Sequence, residues 1–276
     1  MLISYRSLKN FIIINGFLFS IGIAQHNILL YEQYNCILDF CLILFIFLIR
    51  NYSLMKFIDQ GVSNKPRINN DVIIQMPKEE YKYEFHYYVL TTTAIDSITH
   101  VFIKNNYTYI DRAFYQDIIL FIPISFIFEI IFDLFHYITH RLLHSKYLYK
   151  YLHKVHHKFN HPISILSYYQ DPLDLVITNS VPTILSLLMT KNISYRQLNI
   201  ILIYKTFIEI SGHCGKISYP TGSFPQFIWL PKLLQIDLYT EDHDLHHSLN
   251  NCNYAKRFSL WDKLFNTYKS SIKKQI

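Results

Sequence analysis

The stretch IILFIPISFIFEIIFDLFHYITHRLLH, residues 118–144, decides the fold. Residues 118–135 are almost wholly apolar, close to the length a helix needs to cross a bilayer, and run without a break into His136, His140 and His144. On a helix, residues three and four apart share a face, so His140 and His144 project together from the end of a membrane segment. That continuity predicts an all-α, integral membrane helical bundle with a helical cap that carries a His-rich dimetal site.

Working outward, residues 11–24 (FIIINGFLFSIGIA) follow a short basic stretch and read as a retained anchor, because a second apolar run follows at 36–49 (CILDFCLILFIFLI). A cleaved signal peptide is the alternative reading of the first run. Residues 50–83 are polar and read as a loop on the membrane surface, and 84–103 as an amphipathic or partly inserted helix. Segments 175–189 and 197–210 are weaker candidates; Pro182, Lys205 and Glu209 leave full spans and re-entrant helices both open. The expected division is an N-terminal membrane anchor region and surface loop (1–117), a catalytic domain (118–270) and a short tail (271–276).

Composition bounds the function. The 276 residues are 51% hydrophobic and 17% aromatic and include 14 His, yet mean hydropathy is only +0.13, so a sizeable polar portion sits outside the bilayer. The net charge of +6 comes without a long basic run, which argues against a nucleic-acid partner and for a membrane surface. Cys36, Cys41, Cys214 and Cys252 form no CxxC pair and read as reduced thiols. With 6 Gly there is no GxGxxG, hence no recognisable nucleotide or flavin site.

Nine histidines fall in three clusters: HYITHRLLH (136–144), HKVHH (153–157) and HDLHH (243–247). At this histidine content a single HxxHH arises by chance in about 3% of chains of this length, and two far less often. Imidazole is a good ligand for first-row metals, so His140, His144, His153, His156, His157, His243, His246 and His247 are expected to bind metal. His136 reads as a supporting or packing residue; His26, His86 and His100 read as structural or surface residues, and His161 is left outside the site. Eight imidazoles exceed what one ion can use, so two ions are expected.

Ligands to one centre must lie on one side of the membrane, so the chain between the second and third clusters must cross an even number of times. The hairpin 175–189/197–210 supplies this and returns His213 beside the site as a further ligand or near-ligand. Asp133, Asp242 and Asp244 are candidates for orienting imidazoles. All-nitrogen ligation leaves iron and zinc both open. The apolar segments beside the clusters point to a lipid substrate, and oxidising an unactivated C–H bond needs a redox metal, which favours iron.

Three elements resemble the fatty acid hydroxylase/sterol desaturase superfamily over roughly residues 118–270: HRLLHSKYLYKYLHKVHHK (140–158), GHCG (212–215) and HDLHHSLNNCNYAKRFSLWDKLFNTY (243–268). The last is most similar to cholesterol 25-hydroxylases and sterol C-4 methyl oxidases, and its LWDKLFNTYK also resembles sterol C-5 desaturases. Many members carry His-Pro after the second box with an acidic residue close behind. Here Asp171-Pro172-Leu173-Asp174 stands in that place, making Asp171 a possible additional ligand. The resemblance implies an oxygen-dependent lipid hydroxylase or desaturase with two iron ions (zinc as purified being possible), a sterol or fatty-acyl substrate, and an electron donor such as cytochrome b5 or an NADPH-linked reductase. It also implies a cytosol-facing site in the endoplasmic reticulum, where Lys273-Lys274-Gln275-Ile276 fits a dilysine retrieval signal. A zinc-dependent membrane hydrolase and a catalytically dead lipid-binding scaffold are the rival readings.

Overall fold

The helix that carries the first histidine box spans Phe114–Leu143, and its buried residues trace one stripe: Phe121, Ser125, Phe128, Glu129, Phe132, Asp133, His136, His140 and Leu143. The spacing of three and four puts them on one face, turned inward. Its 30 residues rise about 45 Å, more than the roughly 30 Å of a hydrocarbon core.

In the computed structural model, which describes residues 5–30, 37–69, 82–219 and 222–271, three long helices precede this one. They are α1 (Tyr5–Leu29), α2 (Ile37–Val62) and α3 (Lys82–Asn106); Phe114–Leu143 is α4. After α4 come α5 (Pro172–Leu175), a π-helical turn Val176–Ser180, α6 (Val181–Thr190) and α7 (Tyr195–Ser211). The short α8 (Leu230–Leu233), α9 (Thr240–Leu249) and α10 (Leu260–Leu264) complete the described chain. Among the described residues no strand forms, only a single bridge between Arg67 and Lys216. The fold class is the expected one: all-helical, with four stretches long and apolar enough to cross a membrane, Leu8–Leu29, Ile37–Val62, Phe114–Leu143 and Pro172–Thr190.

The expected surface loop at 50–83 begins too early, because α2 continues to Val62. Arg50 and Asn51 look like loop residues but find partners inside the bundle, Arg50 pairing with Asp96 at 3.7 Å and Asn51 donating to Thr93 Oγ1 at 3.1 Å, both in α3. Residues 70–81, Cys36 and the Lys273-Lys274 signal lie outside the described residues. Cys41, Cys214 and Cys252 are free thiols.

The chain leaves the histidine end through α5 and α6 and returns through α7. Its turn-round packs at the opposite end, where the Tyr195 ring meets His26 and its hydroxyl lies 3.0 Å from His100 Nε2. Burial of neighbouring positions such as Ile200, Ile201, Tyr204, Lys205, Ile208 and Ile210 shows that α7 is enclosed on all sides. α1 closes over it at Gly22, where a Cβ would lie 3.0–3.1 Å from Ile200. Pro182 is accommodated just after the π turn. It has no N–H to give the carbonyl of Thr178 four residues earlier, and His136 Nδ1 donates to that carbonyl instead, at 2.7 Å.

Asp133, 0% exposed on the α4 stripe, clamps the C-terminal segment onto this frame. Its carboxylate accepts from the backbone N–H groups of Lys256 (2.8 Å), Arg257 (2.8 Å) and Phe258 (3.0 Å). Asp262 does the same for Tyr254 and Ala255, both at 2.9 Å. Replacing Asp133 with Ala leaves three buried donors without an acceptor, each costing about 1–3 kcal/mol. The unfolding midpoint of Asp133→Ala in detergent is therefore expected to fall steeply, by more than about 3 kcal/mol in stability; an unchanged midpoint would contradict the clamp.

Candidate metal centre

The two HxxHH boxes do not each make one site; each is divided between two groups, while His140 and His144 of the first box stay together. His140, His144, His153, His157 and His246 form one group, and His156, His213, His243 and His247 the other, with the ligand atoms of each group within 4.8 Å of one another. In both HxxHH boxes the outer pair, four residues apart, turns to one group and the middle histidine to the other. α4 and its C-cap supply His140 and His144, the π turn Tyr149–His153 and the 3-10 turn His156–Lys158 supply the second box, and α9 the third. His213 follows directly on α7 and joins the second group.

Within the groups the rings face each other through Nε2. His153 Nε2 lies 3.0 Å from that of His140 and 3.1 Å from that of His157. In the second group the separations are 3.1 Å for His213–His243, 3.2 Å for His243–His247 and 3.4 Å for His156–His213. The outward nitrogens fix the tautomers. His140 Nδ1 donates to Tyr254 O (2.7 Å), His246 Nδ1 to Cys252 O (2.7 Å), His213 Nδ1 to Glu209 O (2.6 Å) and His153 Nδ1 to Asp174 Oδ2 (2.8 Å). A carbonyl or carboxylate can only accept, so these four rings carry their proton on Nδ1 and turn a bare lone pair inward. The facing His140 and His153 nitrogens therefore share no proton at 3.0 Å.

That geometry fits a cation. Two imidazoles bound at about 2.1 Å hold their nitrogens roughly 3.0 Å apart at a right angle and roughly 3.4 Å at the tetrahedral angle, the range found here. His144 Nε2 and His246 Nε2 are buried with no protein partner, as metal-directed lone pairs would be. Electrostatics points the same way. Burial lowers His144 and His213 to about 3, helped by His153 and by the Lys256 ammonium respectively. Burial, followed by neighbouring imidazoles, also holds His156, His157, His246 and His247 well below their ordinary value; for His243, Lys256 is the next cause. Neutral rings are the ligating form.

The acidic residues distribute differently from expectation. Asp133 holds backbone, as above. Asp242 accepts from the Ser271 N–H (3.0 Å) and hydroxyl (2.8 Å), and Asp244 takes His161 Nδ1 at 3.0 Å. None of the three is bonded to an imidazole of the two groups. Asp171 belongs to neither group; its Oδ1 caps α5 by accepting from the Leu173 N–H at 2.8 Å. The carboxylate that orients a grouped imidazole is Asp174, three residues on and 0% exposed, on His153. Its sequence signal was the acidic residue following the second box. His136 stays outside both groups, held by Thr178. Two further residues had no sequence signal: Lys256 Nζ lies 2.8 Å from His243 Nε2, and Glu209 lies 3.6 Å from Lys256.

Two cavities adjoin the groups. A polar one of about 50 Å³ is lined by His136, His140, His153, Asp96, Lys205 and Glu209. A larger one of about 830 Å³ is walled by Phe11, Ile14, Phe57, Phe207, Ile208 and Ile228 and reaches His243 and Lys256.

Because Asp174 fixes His153, Asp174→Asn is expected to weaken metal binding about 10- to 100-fold in chelator competition. Asp171→Ala should leave metal binding intact and cost only about 1 kcal/mol of stability through its lost cap. Stability of the metal-free protein should also depend on pH. The unfolded chain protonates its histidines near 6.5 while the folded rings resist, so below that pH the unfolded state binds more protons. Stability present above pH 6.5 is lost as the pH falls through it and on towards 3. The thermal midpoint should drop between pH 7.5 and pH 5, and a flat profile would contradict buried neutral imidazoles.

The family model for fatty acid hydroxylase matches residues 125–267. Fatty acid hydroxylase vlmA of Lecanicillium sp is 37% identical over 67 residues, 23% of this chain and 18% of that protein. Cholesterol 25-hydroxylase-like protein 1, member 2 of Danio rerio is 29% identical over 69 residues, 24% of this chain and 22% of that protein. The chain thus spans about a fifth of the length of these curated relatives, and no solved structure matches it. The family match runs from the buried stripe of α4 through both HxxHH boxes to Thr267, about half of all residues, and the chain belongs to the fatty acid hydroxylase family.

Proposed function

We propose that this protein is a membrane-embedded oxidoreductase that hydroxylates, or desaturates, a sterol or related lipid with dioxygen, using two iron ions. The observation that carries the reading is the pair of imidazole groups, one of which, through His243, borders an apolar chamber of about 830 Å³. The metal ligands in this reading are His140, His144, His153, His157 and His246 for one ion and His156, His213, His243 and His247 for the other. Bound iron supplies the one-electron chemistry with dioxygen that an unactivated C–H bond requires, with electrons from a separate carrier such as cytochrome b5 or an NADPH-linked reductase.

The chain's own residues contribute placement. Outward acceptors on four rings hold the inward nitrogens without cost of reorganisation. The apolar walls strip water from a lipid and hold it against His243. Names of the matched relatives, a fatty acid hydroxylase and a cholesterol 25-hydroxylase-like protein, support a lipid substrate. Walls drawn from α1, α2, α7 and the segment after it make the chamber broad, which favours a sterol over a single acyl chain. The proposed location is the endoplasmic reticulum membrane with the metal end toward the cytosol. Exposed Lys146, Lys150, Lys154 and Lys158 at that end support the orientation, since cytoplasmic loops carry excess Lys and Arg.

Iron-loaded protein in lipid nanodiscs, given an NADPH-driven donor and labelled dioxygen, is expected to place one labelled oxygen on a sterol in preference to a fatty acyl lipid. His246→Ala should lose more activity than the roughly 10- to 100-fold typical of an outer partner. Exclusive labelling of acyl chains would replace the sterol reading with a fatty-acyl hydroxylase. Zinc-dependent turnover without dioxygen would overturn oxidation altogether.

A further inference from the structure

Lys256 is an unusual neighbour for a metal position. Its side chain is 4% exposed, and its Nζ donates to His243 Nε2 at 2.8 Å, the same lone pair that faces His213 and His247. The position is built rather than incidental. Asp133 fixes the Lys256 backbone N–H at 2.8 Å. Gly212 leaves the space, since a Cβ there would stand 3.3 Å from Lys256 Nζ and 3.4 Å from its Cε. Glu209 Oε2, 3.6 Å from Nζ, offers a second resting place. Among the described residues no lysine or arginine is hydrogen-bonded to the five-imidazole group, where the outward nitrogens of His140, His246 and His153 meet Tyr254 O, Cys252 O and Asp174 instead.

We propose that Lys256 makes the two metal positions unequal: its ammonium holds the His243 lone pair when the second position is empty and must be displaced towards Glu209 before that position fills. The inference rests on the reading of the two imidazole groups as metal ligands and adds an order of loading to it. The first ion enters the His140/His144/His153/His157/His246 group unopposed. A second divalent ion must break the Lys256–His243 hydrogen bond and then lie next to a positive charge, which weakens its binding. Lys256 acts here as a positioning residue, since it reaches the metal position only through His243 and by its charge. Because it also lines the 830 Å³ chamber, the second position is the one whose occupancy the chamber meets first.

The test is a cobalt(II) titration of the metal-stripped full-length chain in detergent without oxygen, read by equilibrium dialysis and the visible bands of the bound ion. Wild type is expected to take two equivalents, the second at least tenfold more weakly. Lys256→Met and Lys256→Gln should each tighten the second equivalent at least tenfold while leaving the first unchanged, and retention of the first reports that the variant is folded. Lys256→Arg, which keeps the charge, should keep the second equivalent weak. Two equal equivalents in wild type, or a second equivalent no tighter in whichever neutral variant retains the first, overturns the proposal. Failure of the wild type to bind any cobalt overturns the metal reading itself, and this inference with it.

Discussion

Bare imidazole lone pairs held face to face in a buried site are the constraint on which the rest of the structure depends. At 3.0–3.4 Å, with protons committed outward on the rings that have acceptors, these nitrogens repel one another and are cut off from water. Such an arrangement is unfavourable for a protein alone and favourable around a cation. The fold therefore has to hold the rings in place rather than let them relax. It does so from several directions at once: a helix longer than a hydrocarbon core is thick, two HxxHH boxes shared between positions, and acceptors placed behind the rings.

The same constraint explains the carboxylates buried near the site. Asp133 and Asp262 spend their charge on backbone N–H groups of the segment 254–258, fixing the loop whose Tyr254 carbonyl in turn orients His140. Arg257, 0% exposed, ties this segment to α7 and α4 through Glu209 (2.7 Å) and Glu129 (3.3 Å). Breaking one partner of such a buried pair leaves an uncompensated charge, so the network binds the C-terminal segment to the helices as a unit. Imidazole placement, loop placement and helix packing are thus one coupled arrangement.

Much of this was legible in the sequence because it is local. The apolar run 118–135 and the spacing in HYITHRLLH fix a helix face from neighbours a few residues apart, and HKVHH and HDLHH mark candidate ligands. A single stripe per HxxHH box is not what forms, because each box divides between two groups. His213 was legible through topology, since a hairpin must bring its end back to the same side. What was not legible is long-range. Asp133 meets Lys256 across 123 residues of chain, and Lys256 and Glu209 carry no pattern that announces a meeting. α2 ran longer than its hydropathy suggested because Arg50 and Asn51 find partners on α3 instead of water. Asp171 and Asp174 were both visible in one tetrapeptide, but only the turn of α5 decides which of them faces His153.

The central claim is that two metal ions occupy the two imidazole groups, and anomalous scattering at the iron edge from iron-loaded crystals tests it most directly. The account expects two peaks, one among His140, His144, His153, His157 and His246 and one among His156, His213, His243 and His247. A single peak shared between the groups, or peaks away from these rings, would contradict it.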